Sequence, residues 1–247
     1  NQILNKEKFD AIIIFGDRFE ILAIAYLAII LRIPIIHVYG GEKTQGSTDD
    51  LIRHSITKLS NYHFVKNKIY EKRIIQLGED KKNIFRIGNL SLENISKLKI
   101  FSLKYLNKKL NLKLVKNNYI VITFHPETNT KNYGVKMIKH CLKVLDFYKN
   151  IKIIFTLSNI DNGSCEINRI IKEWSDKNKN STYFKFVGTQ NYLSLVKFSC
   201  GVIGNSSSLA NEVSILKKYS LLIGNRQKGR ILSKYNYFSN TNKSVKK

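Results

Sequence analysis

The sequence predicts an α/β protein built from two Rossmann-like domains, the first of them incomplete, and three observations carry that expectation. Short runs rich in β-branched residues alternate with segments whose apolar residues recur at helical spacing, the pattern of parallel βαβ units. The alternation breaks once, over residues 90–117, where a Lys-, Leu- and Asn-rich stretch (LENISKLKIFSLKYLNKKLNLKLVKNN) has weaker periodicity. Five strand-like runs follow this break and only four precede it, without a Gly-rich first strand-turn-helix among the four. The chain also opens on Asn1, and its only methionine is Met137, so an upstream segment holding the start of the first sheet is expected.

In chain order, the first strands are AIIIFG (11–16), PIIHVYG (34–40), YHFVK (62–66) and IFRIGN (84–89). Between them FEILAIAYLAIILR, STDDLIRHSITKLS and IYEKRIIQLG carry apolar residues at helical spacing. Ser47 or Thr48 is a suitable N-cap for the second helix, with Asp49 and Asp50 in the first turn, where the helix dipole favours carboxylates. The second set of strands is YIVITFHP (119–126), KIIFTL (152–157), YFKFVG (183–188), CGVIGN (200–205) and SLLIGN (220–225). The expected organisation is therefore a first domain over 1–95, a helical linker over 96–117, a second domain over 118–225, and a basic segment over 226–247 that packs back on the first domain.

Composition narrows the function classes. With 247 residues, 43% of them hydrophobic, the chain can bury real cores. Its most apolar stretch, AIAYLAIILRIPII, is interrupted by Arg32 and Pro34 and falls short of the roughly 18 residues a membrane span requires. Cys141, Cys165 and Cys200 are odd in number and lie outside any metal or disulfide spacing, so buried free thiols in a cytoplasmic protein are expected. A net charge of +24 raises nucleic acid as a partner, but Lys is interleaved with Asn and Ile throughout, which reads as a solvated basic surface. After Glu212 no acidic residue occurs.

Four stretches carry chemistry. In FGDRFE, Asp17 follows a strand, at the edge where open α/β sheets bind ligands. HVYGGEKTQGSTDD (37–50) is a glycine-punctuated strand-to-helix loop bearing His37, Glu42, Asp49 and Asp50; carboxyls converging on one cleft push their pKa values apart, while singly they read as helix-start or loop-surface groups. Only two prolines occur where average usage gives about twelve, and one of them, Pro126, follows His125 directly after a strand. That histidine is either held in a set geometry at the cleft edge or is a surface imidazole beside a strand stop. IGNSSSLANEV (203–213) offers backbone N–H groups and hydroxyls at a helix start, a cradle for a diphosphate or a plain serine cap. GNRQKGR (224–230) adds Arg226, Lys228 and Arg230 as countercharges.

Together GDRFE, HVYGGEKTQGSTDDLIRHSITKLS, HFVKNKIYEKRIIQLGE, FHPET, GNSSSLANE and IGNRQKGR resemble the hydrolysing UDP-N-acetylglucosamine 2-epimerases, in the sialic and nonulosonic acid branch of the UDP-sugar 2-epimerase family. The resemblance implies two Rossmann-like domains of the GT-B type with no metal or nicotinamide cofactor, a UDP-sugar substrate, and a homodimer. It implies removal of the C2 proton as UDP leaves C1, then hydration of the glycal to N-acetylmannosamine. It places Asp17, Glu42, Asp49, Asp50 and His125 in the catalytic set, with Arg18, His37, Arg53, His54, Asn205, Ser206, Ser207, Glu212 and Arg226 at the substrate. The chain departs from the pattern at Tyr39, where some relatives carry glutamate, at Tyr219, where proline is usual, and in lacking the N-terminal nucleotide-contacting loop; the fragment alone is expected to be inactive. The same chemistry on a UDP-2,4-diacetamido sugar and a GT-B glycosyltransferase are the alternatives.

Overall fold

The computed structural model describes residues 8–158 and 161–239, which form two units. The first unit comprises the residues up to Thr44 together with Thr48–Leu90. Its sheet has four parallel strands in the order β1 (Ile12–Phe15), β2 (Ile35–Val38), β3 (Tyr62–Val65), β4 (Ile84–Arg86). Each is shorter than its sequence run at the carboxyl end, and Gly16, Tyr39 and Gly88 take positive φ just after β1, β2 and β4, turning the chain out of the sheet. Helices α1 (Phe19–Ile30), α2 (Asp49–Leu59) and α3 (Lys68–Gln76) follow the first three strands. Thr48 is the N-cap of α2 but makes no side-chain capping bond, whereas Asn67 caps α3 by accepting from the N–H groups of Ile69 and Tyr70. The core joins Ile14 and Ile35 to Ala25, Ala28 and Ile56. The buried stripe of α2 is Arg53, Ile56 and Thr57, so a cation occupies a position where the helical period calls for an apolar residue.

The second unit holds Gln45–Ser47 and everything from Ser91 onward. Its sheet is parallel, in the order β10-β9-β8-β5-β6-β7, with β5 at Tyr119–Thr123, β6 at Lys152–Thr156, β7 at Ser181–Phe184, β8 at Gly201–Gly204, β9 at Ser220–Ile223 and β10 at Asn236–Ser239. Two expectations need correction. The stretch expected as a linker folds into α4 (Leu90–Lys97) and α5 (Leu103–Leu110), and Leu106 and Leu114 are buried against Tyr119, Leu195 and Val202, so it belongs to this core. The segment expected to pack back on the first domain supplies, through Asn236–Ser239, an unexpected β10 to this sheet. Asn236 anchors it, its amide donating to Leu209 O and Ser220 Oγ and accepting from the Ser233 N–H and Ser214 Oγ. Residues 240–247 lie outside the described chain.

The remaining helices are α6 (Val135–Leu145), α7 (Ser164–Lys177), α8 (Thr189–Phe198), α9 (Ser207–Ala210) and α10 (Glu212–Ile215). The chain leaves β5 toward β6 and β7 on one side and returns on the other with β8, which makes the carboxyl ends of β5 and β8 a topological switch point, the place where such sheets bind ligands. No described helix is long and apolar enough to cross a membrane. All three cysteines are free; Cys141 is buried as expected, but Cys165 and Cys200 are exposed.

Candidate active site

In the first unit, Gly16 takes φ +90, and an added Cβ would meet nothing within 4 Å, so conformation alone calls for glycine as the chain leaves β1. Asp17 follows with a partly accessible side chain and pairs with Arg53, whose side chain is only 2% exposed. The guanidinium is almost fully engaged. Nε donates to Asp17 Oδ2 at 2.8 Å, and Nη2 donates to the same oxygen and to Thr44 Oγ1. Nη1 reaches Glu42 O at 3.0 Å, Thr44 Oγ1 at 3.2 Å and Asp50 Oδ1 at 3.3 Å. A buried guanidinium without anions is very unfavourable, so this cation fixes where Asp17 and Asp50 must sit.

The carboxylates expected to converge are thus interleaved with cations. Asp50 also accepts from the Thr44 N–H and lies 3.8 Å from His54 Nε2. Glu42, itself buried, contacts Lys66 Nζ at 2.5 Å. Asp50 turns toward Arg53; Asp49 occupies the first position of α2 and is half-buried. Arg18 pairs with Glu20 at 2.9 Å on the surface. His37, expected at the substrate, is instead fully buried: Nε2 donates to Gly16 O at 3.1 Å and Nδ1 faces Thr57 Oγ1 at 3.2 Å. A carbonyl can only accept, which sets the tautomer, and burial lowers the His37 pKa to about 4. His37 therefore struts the turn that presents Asp17. Burial also lowers His54 from its ordinary value, against the opposing pull of Asp50.

In the second unit, Gly204 ends β8 at φ +145, and a Cβ there would come within 1.9 Å of Thr123 O, so β5 and β8 approach this closely only through glycine. Asn205 comes next. Its Oδ1 accepts from the His125 N–H at 2.6 Å and its Nδ2 donates to His125 O at 2.7 Å, so the amide expected at the substrate holds the HP turn instead. Burial, reinforced by Arg226, pulls the His125 pKa down to about 3, leaving a neutral imidazole whose buried Nδ1 has no hydrogen-bond partner among the described residues.

Sequence reasoning missed Glu127 and Gln227. Glu127, 1% exposed, accepts through Oε1 from the backbone N–H groups of Asn225 and Arg226 at 2.6 and 3.0 Å. Arg226 Nε donates to Pro126 O at 3.2 Å, and Gln227 Nε2 to Asn205 O at 2.9 Å. The FHPET and GNRQKGR segments are thereby tied to each other and to the serine turn. FHPET does contain Glu127, but nothing in its spacing marks a backbone-capping carboxylate.

Ser206 is the N-cap of α9, its hydroxyl accepting from the Ser208 N–H at 3.3 Å. Ser206, Ser207 and Glu212 line a cavity of about 350 Å³ with Thr123, Thr156 and Tyr192, at the carboxyl ends of β5 and β6. Hydroxyls, helix-start amides and an adjacent acid are chemistry suited to a phosphorylated, hydroxyl-bearing ligand.

The chain resembles known proteins along most of its length. The profile of the UDP-N-acetylglucosamine 2-epimerase family matches residues 1–245. The chain is 45% identical over 226 residues to the GDP/UDP-N,N'-diacetylbacillosamine 2-epimerase (hydrolyzing) of Campylobacter jejuni, covering 91% of this chain and 58% of that protein. It is 42% identical over 224 residues to the polysialic acid biosynthesis protein P7 of Escherichia coli, covering 90% and 56%. It therefore spans little more than half the length of these curated relatives. Among solved structures, the UDP-GlcNAc 2-epimerase of Methanocaldococcus jannaschii in complex with UDP-GlcNAc and UDP superposes with a TM-score of 0.79 at 22% identity, covering 96% of this chain and 67% of that one, a likeness of fold. With the family profile matched along nearly its whole length and both units built as parallel Rossmann-like sheets, the chain belongs to the UDP-N-acetylglucosamine 2-epimerase family.

Proposed function

We propose that the protein is a hydrolysing 2-epimerase of UDP-activated 2-acetamido sugars. The observation that carries this reading is Asp17: a carboxylate held by a buried guanidinium yet partly open to solvent, at the carboxyl end of a strand, is a preorganised base. Asp17 removes the proton at C2, the electron pair forms the C1–C2 double bond, and UDP departs from C1 with the glycosidic electrons. Water then adds at C1 while C2 is reprotonated on the opposite face, which releases the manno-configured sugar. Ser206, Ser207 and Arg226 hold the diphosphate, and neutral His125 donates a hydrogen bond to the departing phosphate. Glu212 receives the nucleoside hydroxyls.

The sequence reading puts UDP-N-acetylglucosamine first. The 45% identical relative is named for GDP/UDP-N,N'-diacetylbacillosamine, and this favours a UDP-2,4-diacetamido sugar as the substrate here. The resemblance to the family also supports a homodimer in the cytoplasm, which light scattering and cell fractionation would check. The deciding experiment is an NMR time course of the full-length protein in D2O with each UDP-sugar. The expected result is release of UDP and a manno sugar deuterated at C2, faster from the diacetamido substrate. Product without deuterium would overturn the C2 proton chemistry. UDP binding without turnover of either sugar would favour a glycosyltransferase.

A further inference from the structure

Lys66 is the residue on which the site of the first unit has an arrangement that the proposed chemistry does not use. It stands immediately after β3, and its Nζ lies 2.5 Å from Glu42 Oε1, with the two side chains 11% and 5% exposed. The same Nζ sits 4.1 Å from the centroid of the Tyr39 ring. An ammonium between a carboxylate and an aromatic face is held from both sides. Tyr39 itself takes φ +73, a left-handed conformation that is a genuine outlier for a bulky side chain. Its neighbours keep it there. The phenolic oxygen accepts from the Leu90 N–H and donates to Asn89 Oδ1 at 3.3 Å, while the ring packs 4.9 Å from that of Phe15. Strain maintained by surrounding contacts tends to gather at functional sites. A buried ion pair, moreover, is weak evidence for stability, since apolar residues of similar volume often serve the fold as well.

The geometry points to Lys66 as a positioning residue for the reaction: resting on the Tyr39 ring, it fixes Glu42 in place as a carboxylate at the carboxyl end of the sheet. This inference rests on the proposed C2 proton chemistry and deepens it by assigning the protonation state in which Glu42 enters the cycle. Other groups surround the same loop. From α2, Arg53 donates to the Glu42 carbonyl and is paired with Asp50; from α3, Arg73 donates to the Gly41 carbonyl; Lys43 is the next residue in the chain. Of the contacts described for the Glu42 carboxylate, the one to Lys66 is the ion pair, so removing that cation should raise its titration midpoint.

The test uses full-length protein labelled with ¹³C at glutamate carboxyls, with the Glu42 signal assigned by its loss in Glu42→Gln. Lys66→Met should move the Glu42 midpoint up by about 1 unit or more, and shift the acid limb of the kcat profile upward by the same amount. At neutral pH kcat should fall roughly tenfold or more, with UDP affinity by calorimetry within about twofold. Lys66→Arg should restore the midpoint. An unmoved Glu42 midpoint in Lys66→Met, or an unmoved acid limb, would overturn the assignment. Should Lys66→Met fail to fold, Tyr39→Leu removes the shelf and should raise the midpoint by a smaller step, and no change there would equally overturn it. A wild-type protein inert toward both UDP-sugars, whose Glu42 still responds to Lys66→Met, would sink the epimerase reading while supporting the role of Lys66.

Discussion

In the first unit the polar groups at the carboxyl end of the sheet are acids and bases cross-paired: Asp17 and Asp50 on Arg53, and Glu42 on Lys66. In the second unit the corresponding edge relies more on the Asn205 amide, the serine hydroxyls, backbone N–H groups and an uncharged His125, with Glu127 turned onto backbone amides, Arg226 on the Pro126 carbonyl and Glu212 lining the serine cavity. The difference follows the chemistry each edge suits. Moving protons needs carboxylates held at set charge, and cations are what hold them in a partly desolvated place. Receiving a diphosphate needs hydrogen-bond donors, and fixed dipoles supply them with little reorganisation.

The largest expected effect breaks the first pattern outright. Arg53→Met leaves Asp17 and Asp50 without their shared cation, and loss of one member of a buried pair is worth about 3 to 5 kcal/mol; chemical denaturation should show that loss, with turnover gone. Asp17→Asn keeps the shape and removes the base, so kcat should drop about a thousandfold while UDP affinity by calorimetry stays near wild type; surviving turnover would remove Asp17 from its role.

Acid should weaken both units next. The His37 pKa falls from 6.5 to about 4 on folding, so between those values the unfolded chain binds a proton that the native state refuses. Stability is unaffected above about pH 6.5 and declines as the pH falls toward 4, by something of the order of 3 kcal/mol. His125 adds a decline of its own that also begins near pH 6.5 and continues toward pH 3. Urea titrations at pH 7, 5.5 and 4.5 would show the decline, and it should be shallower in His37→Gln. Arg226→Ala should weaken UDP binding by about 2 kcal/mol and leave C2 deuterium exchange intact; unchanged UDP affinity would show that Arg226 does not meet the diphosphate. The smallest effect is Ser206→Ala, loss of an N-cap worth about 1 kcal/mol, with UDP bound several-fold more weakly.

Much of this was legible in the chain. The strands appeared where β-branched runs are bounded by glycine, and Asp17, His125 and the serine turn lie where strand ends give way to helices. What escaped were groups whose partners are distant in sequence. Arg53 reads from the resemblance as a substrate contact, and only its place on the buried stripe of α2, with Asp17 as partner, turns it into a clamp. Asn205 and His37 read as ligand groups only through the family resemblance; in the fold they meet backbone partners 80 and 21 positions away. Glu127 has the same history, its partners being amides 98 and 99 positions on.

The sequence by itself determined the element order, the parallel α/β class and the residue types at each strand end, because hydrophobic period and turn chemistry act over a few residues. Only the tertiary structure decided that residues 103–114 join a core, that Asn236 brings a sixth strand to the second sheet, and which cation each carboxylate meets. Those outcomes depend on burial and on the pairing of charges across the fold, since the cost of an unpartnered buried polar group is set by its surroundings in three dimensions and not by its neighbours along the chain.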